Sequence, residues 1–123
     1  MSKAQFLAEN LKPGEIYAGL ILGKDGQPDY HLALLPTKPS KLTWNAAMTW
    51  AALLGGDLPN RREQSLLLAN CKEEFEGYYY WSNEQYADSP GYAWLQDFDY
   101  GGQYGNRKSY ECRARAVRRL IIQ

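Results

Sequence analysis

Apolar positions along the chain change their period twice, and each change predicts a different kind of element. Between residues 15 and 36 two apolar runs, Ile16-Tyr17-Ala18-Gly19-Leu20-Ile21-Leu22 and Tyr30-His31-Leu32-Ala33-Leu34-Leu35, flank the polar stretch Lys24-Asp25-Gly26-Gln27-Pro28-Asp29. An Asp-Gly pair between apolar runs predicts a β-hairpin, because glycine accepts the positive φ that the reversal needs. The connection is long enough to form a loop rather than a two-residue turn. After Pro36 and Pro39 the spacing becomes helical. Trp44, Ala47, Met48, Ala51 and Leu54 fall on one face of a helix near 43–54, with Thr43 as its N-cap and Gly55-Gly56 as its stop.

A second helix is predicted from about 61 to 72. Asn60 caps it, and Glu63, three residues on, reaches back to the cap's own N–H. Leu66, Leu67, Ala69 and Phe75 supply its core face. From Gly77 onward the pattern shortens to β segments at 79–82, 92–100 and 109–120. They are separated by Asp88-Ser89-Pro90-Gly91 and by Gly101-Gly102-Gln103-Tyr104-Gly105-Asn106. Alternation in the middle segment predicts Tyr92, Trp94, Gln96, Phe98 and Tyr100 on one face, with Leu95, Asp97 and Asp99 on the other.

Hairpin, two helices, then antiparallel strands is an α+β order. The 123 residues fit one domain, 1–123: an N-terminal segment (1–14), the hairpin (15–36), the helices (43–73), then strands and long loops (78–120). A composition of 45% apolar and 23% charged residues is ordinary for a globular protein. The formal charge is zero, which removes the bulk positive field behind non-specific nucleic-acid or membrane-surface binding. Charges interrupt the N-terminal residues, so they read as neither a secretory signal nor a membrane span, and the expected location is the cytoplasm or a virion. Cys71 and Cys112 have no CxxC or Cys/His company, which argues against zinc. Two free, partly buried thiols and a single Cys71–Cys112 bridge both fit the sequence; a cytoplasmic setting favours the first.

Five motifs then fall in order: Leu42-Thr43-Trp44-x-x-Ala47; Gly55-Gly56-x-Leu58-Pro59-x-Arg61-x-Glu63; Tyr80-Trp81-Ser82-x-Glu84; Ala93-Trp94-x-x-x-Phe98-x-x-Gly101; and Ala114-x-Ala116-Val117-Arg118. Together they resemble the Lcl C-terminal-domain family over about residues 42–120. The resemblance implies a C-type-lectin-like fold, shared with formylglycine-generating enzymes and with the variable receptor-binding proteins of diversity-generating retroelements. The strand Gly14-Glu15-Ile16-Tyr17-Ala18-Gly19 is similar to the start of short prophage proteins. Fold alone does not assign function.

Most motif residues have structural explanations. Trp44, Trp81, Trp94 and Phe98 are expected to fill the core, and Arg61 or Arg62, like Arg118, to pair with a carboxylate. The region 78–110 goes further, holding eight of the ten tyrosines among Ser, Asn, Gly and Gln, a mixture that resembles a paratope. Tyr86, Asp88, Gln96, Asp99, Tyr100, Gln103, Tyr104, Asn106 and Arg107 are the expected ligand contacts. The tyrosines form either a recognition surface or an aromatic-rich core with decorated loops. Charge is segregated too: residues 73–106 carry seven acidic side chains and no Lys or Arg, while 107–119 carry six basic ones against Glu111. Either neighbouring strands pair these charges internally, or an acidic patch and a basic strip face solvent. In the second case Arg113 and Arg115, sharing a strand face, offer a small phosphate site.

Calcium-dependent sugar binding is disfavoured, because Gln27-Pro28-Asp29 lies in the hairpin and only Asp88, Gln96, Asp97 and Asp99 offer a cation cluster. No metal or other cofactor is expected. Catalysis is disfavoured as well: the cysteines lack a partner base, His31 sits alone in a strand, and Asp97 and Asp99 merely share a strand face. Two non-enzymatic roles remain. One is a prophage-encoded binding module that recognises a host or phage protein, or a surface glycan, through tyrosine-rich loops. The other is an assembly component of a phage particle, with the aromatics buried in a homo-oligomer or against another virion subunit.

Overall fold

In the computed structural model, residues 2–38 and 41–122 are described; Pro39, named above as preceding the first predicted helix, lies outside them. The architecture is α+β, with three helices and two small antiparallel sheets. Strands β1 (Ile16–Ile21) and β2 (Tyr30–Leu34) form the expected hairpin, and Asp25 and Gly26 reverse the chain at φ 54° and 82°. The last strand, β6 (Val117–Ile121), pairs antiparallel with β2, giving the sheet order β1-β2-β6. The second sheet is β3 (Tyr79–Gln85), β4 (Tyr92–Asp97) and β5 (Gln103–Arg107), in that order. Its β3 edge is extended by residues around Cys112 and Arg113, where Trp81 N–H donates to the Arg113 carbonyl and Arg113 N–H to that of Tyr79.

Helix α1 (Lys3–Asn10) is not signalled by the pattern of residues 1–14. It is held by a Ser2–Gln5 capping box, and Phe6 lies on the His31 ring, 4.1 Å between centroids. Helix α2 (Trp44–Leu53) matches the expected span, but Thr43, though at the cap position, makes no side-chain cap bond. The amide of Trp44, the first helical residue, donates to the Lys108 carbonyl at 3.0 Å. Helix α3 (Arg61–Asn70) has the predicted Asn60–Glu63 capping box and ends two residues early, with Cys71 as its C-cap, before a short 3₁₀ turn over Lys72–Glu74. Its inner face also departs from expectation: Ala69 is exposed, while Glu63 and Gln64 are fully buried beside Leu67.

Strand β3 is buried on both faces, and this divides the interior in two. Trp81 joins Ala47, Ala51, Leu58, Ala93, Leu95 and Cys112 under α2. Its neighbour Tyr80 joins Leu32, Leu34, Leu67, Phe98 and Val117 on the α3 side. Trp81 and Phe98 are therefore core residues, as expected. Trp44 and Trp94 are only half-buried. The alternation predicted for 92–100 holds as far as Gln96. It fails beyond because β4 ends at Asp97, whose carboxylate accepts the N–H groups of Asp99 (2.8 Å) and Tyr100 (3.3 Å) and turns the chain. Phe98 consequently points into the core and stacks on Phe75 at 3.9 Å. The strand expected over 109–120 is confined to 117–121, while β5 forms in a segment whose composition predicts a loop.

Glu63 ties these parts together. Besides capping α3, its carboxylate accepts from Arg119 Nε at 2.6 Å and from the Tyr30 hydroxyl at 2.6 Å, while Arg119 also reaches Asp57 at 2.9 Å. Removing one partner from a buried ionic network leaves the other charge without compensation. Glu63→Gln is expected to lower the unfolding free energy in a urea titration by about 3–5 kcal/mol. A loss below about 1 kcal/mol, the scale of an exposed pair, would show the network to be dispensable.

Candidate functional site

The nine expected contacts separate into different neighbourhoods. Pairing of β4 with β5 places Tyr92 opposite Arg107, Trp94 opposite Gly105 and Gln96 opposite Gln103 on one face of the sheet. Tyr86 folds over that face, 4.2 Å from Trp94 and 6.4 Å from Tyr92 between ring centroids. Gly105 is required there, because a Cβ would sit 2.4 Å from the Tyr86 ring. On the far side the Arg61 guanidinium lies 3.5 Å above the Trp94 ring, and its Nε donates to Gln103 at 2.9 Å. Gln103 in turn donates to the Arg61 carbonyl and to Gln96, both at 2.9 Å.

Gln96 and Gln103 are thus internal ties between α3 and the sheet, not contacts awaiting a ligand; Gln96 is 1% exposed. Trp94 packs against Arg61 and Tyr86 rather than inside the core. Contrary to expectation, neither Arg61 nor Arg62 forms a side-chain ion pair with a carboxylate among the described residues. Arg61 stacks on the indole, and Arg62 donates to the Leu22 carbonyl. Asp88 is exposed in the β3–β4 turn, Asn106 accepts from the N–H of Arg107, and Arg107 is exposed beside the Tyr92 hydroxyl at 3.4 Å. Tyr104 curls over Gly102, where a Cβ would meet its hydroxyl at 2.2 Å.

Asp99 and Tyr100 belong to a different place. They line a cleft of about 290 Å³ beside the start of β3 and the end of β4, together with Lys41, Tyr78, Tyr79, Tyr110, Glu111 and Arg113. Asp97 and Cys112 line it as well. Four tyrosines converge there, all exposed, with Tyr100 at 87%. Phenol hydroxyls that find protein partners belong to Tyr17, Tyr30, Tyr80 and Tyr92. Those of Tyr78, Tyr79, Tyr100 and Tyr110 make no such bond among the described residues. The Tyr78 ring already carries a cation, the Arg113 guanidinium, 4.2 Å from its centroid.

Tyr78, Tyr79, Tyr110, Lys41, Glu111 and Arg113 are absent from the contacts expected from sequence. The Tyr78-Tyr79-Tyr80 run is the available signal, since in a strand Tyr79 must face away from a buried Tyr80. Nothing local joins residue 41 or residues 110–113 to it.

The charge segregation resolves into neither simple alternative. Three of the strip's six cations pair with carboxylates inside the fold, mostly outside 73–106, while Arg107 and Lys108 donate to Tyr92 and Gln85. Arg118 binds Glu15 through two nitrogens at 2.7 and 2.9 Å, Arg119 binds Glu63 and Asp57, and Arg113 pairs with a carboxylate of the acidic stretch, that of Glu76, 3.3 Å away. The Arg118 guanidinium holds the Glu15 carboxyl below its usual range. Arg115 is buried, donating to the carbonyls of Leu35 and Glu74, so it forms no phosphate site with Arg113. Asp99 and Glu111 have no ion-pair partner among the described residues. No three His, Cys, Asp or Glu side chains group as a metal site among those residues.

No protein-family model matches the chain, and no curated protein is significantly similar to it. No helix among the described residues is long and apolar enough to cross a membrane.

Both cysteines are free and buried, which sets aside the bridged alternative. Burial raises both thiol pKa values, that of Cys112 to about 12. Since the thiolate is the reactive form, native protein at pH 8 is expected to react with a disulfide reagent only after unfolding. Fast labelling of Cys112 in the folded state would show that the floor of the cleft opens.

Proposed function

We propose that the protein is a non-enzymatic binding module whose contact surface is the tyrosine-lined cleft between the start of β3, the end of β4 and residues 110–113. One observation carries this reading: four exposed phenols converge on one concavity, and their hydroxyls have no protein partners among the described residues. Tyrosine offers a large amphipathic surface at low entropic cost, which is why paratopes use it. The neighbours of these residues in the chain have the opposite character: Tyr80 and Trp81, which follow Tyr79, and Phe98, which precedes Asp99, are buried, so the cleft is carried on a rigid base.

The C-type-lectin-like assignment is part of the same proposal. Its support is the element order, in which an N-terminal hairpin and two helices precede a second small sheet, and the closing of β6 onto β2. A prophage origin is an inference from the resemblance of residues 14–19 and 42–120. The partner classes proposed are a protein or a surface glycan.

Tyr79→Ala and Tyr100→Ala remove side chains that face solvent, so each is expected to leave the melting temperature within about 2 °C of the parent. The same substitutions are expected to abolish retention of a partner from host lysate on the immobilised protein. Retention that survives both, in folded protein, would move the contact surface elsewhere.

A further inference from the structure

Resting on the cleft as the contact surface, we infer that its ligand is a basic polypeptide segment, with a lysine or arginine side chain inserted among Tyr79, Tyr100 and Tyr110 and its charge facing Asp99 and Glu111. Three observations converge on this ligand class.

The first is the balance of charge commitments. Arg113, Arg118 and Arg119 each have a carboxylate partner within the fold, and Arg115 is buried on backbone carbonyls. Asp99 and Glu111 line the cleft, are exposed, and are paired with nothing among the described residues. Three carboxylates line the cleft against two cations, and one of those cations, Arg113, is already held by Glu76. The local potential therefore favours a cation although the whole chain is neutral.

The second is the wall chemistry. The face of an aromatic ring is electronegative and attracts ammonium and guanidinium groups, most strongly where water is partly excluded. The fold itself exploits this on the cleft wall, where Arg113 lies 4.2 Å over Tyr78. Tyr79, Tyr100 and Tyr110 carry no such cation among the described residues and offer equivalent faces.

The third is size. A cleft of about 290 Å³, open to solvent, admits a single long side chain with its flanking backbone. Lys41 is the one lining cation without a carboxylate partner among the described residues, and it acts against such a ligand.

The test is a nitrogen-15 NMR titration of the full chain at low salt with three probes. They are an acetylated, amidated Gly-Lys-Gly-Arg-Gly peptide, its Gly-Glu-Gly-Glu-Gly counterpart, and a neutral chito-oligosaccharide. The basic peptide is expected to shift the amides of Tyr79, Asp99, Tyr100 and Glu111, and the acidic peptide to leave them unmoved. Asp99→Asn with Glu111→Gln, both at exposed positions, is expected to weaken that binding by about tenfold. Lys41→Gln is expected to tighten it severalfold, and raising salt to weaken it. Shifts of the cleft by the oligosaccharide or the acidic peptide, and not by the basic one, overturn this inference while leaving the cleft as the binding surface. If no probe moves the cleft amides, or the basic peptide moves only residues elsewhere, the inference falls. Survival of lysate retention in Tyr79→Ala and Tyr100→Ala would separately remove the cleft itself.

Discussion

The carboxylate of Glu63 has no exposure to solvent and accepts from its own helix cap, a tyrosine on β2 and an arginine on β6. Burying a charge this way costs several kcal/mol unless geometry and further hydrogen bonds offset it. Here they do: Arg119 faces Glu63 with two nitrogens and reaches Asp57 with a third contact. Helix α3, the loop before it and the first sheet are thereby held in one arrangement. The second sheet attaches to the same helix through Gln64, which donates to the Tyr80 carbonyl, and through Arg61 and Gln103. Where the tyrosines point follows from that anchoring, because Tyr80 is drawn inward and its neighbour Tyr79 must then face out.

The same network shapes the surface field. A chain with equal numbers of acidic and basic residues carries no net charge, yet Arg113, Arg115, Arg118 and Arg119 are drawn into structural roles while several carboxylates are not. Arg115 satisfies carbonyls from segments 41 and 80 residues away. Arg118 fixes the end of α1 by donating to the Asn10 carbonyl as well as to Glu15. The second half of the chain thus keeps acidic groups without ion-pair partners, among the described residues, beside phenols in the same condition. The cleft inherits both.

Local rules are readable where neighbours in sequence complete the interaction. The Asp25-Gly26 reversal and the Asn60–Glu63 capping box need only three or four residues, and both form as expected. Thr43 stands at the cap position without the expected side-chain bond, and the first helical amide, that of Trp44, donates to the carbonyl of residue 108, a pairing that no local pattern reveals. Strand β5 is hidden for a similar reason. Its one glycine, Gly105 under Tyr86, and the neighbouring Gly102 under Tyr104 answer to ring packing, so the composition imitates a loop. Gln96 and Gln103, whose side chains suit adaptable contacts, are consumed by α3. The cleft is only partly visible in the sequence, through Asp99 and Tyr100, since its walls come from segments near 41, 78, 99 and 111 that only the tertiary fold unites.

Seven of the ten tyrosines fall into two sets, and the proposed role of the cleft depends on that division. Tyr17, Tyr30 and Tyr80 are bonded inside the fold, whereas Tyr78, Tyr79, Tyr100 and Tyr110 are exposed at the cleft. Nitration with tetranitromethane near pH 8, read by peptide mass spectrometry, measures the division directly, because the reagent needs an accessible phenolate. Burial raises the pKa of Tyr17, Tyr30 and Tyr80, which protects them further. Rapid modification of the four cleft tyrosines and slow modification of the three bonded ones is the predicted result. Protection of the cleft set in purified protein would contradict it and assign those rings to an interface between subunits.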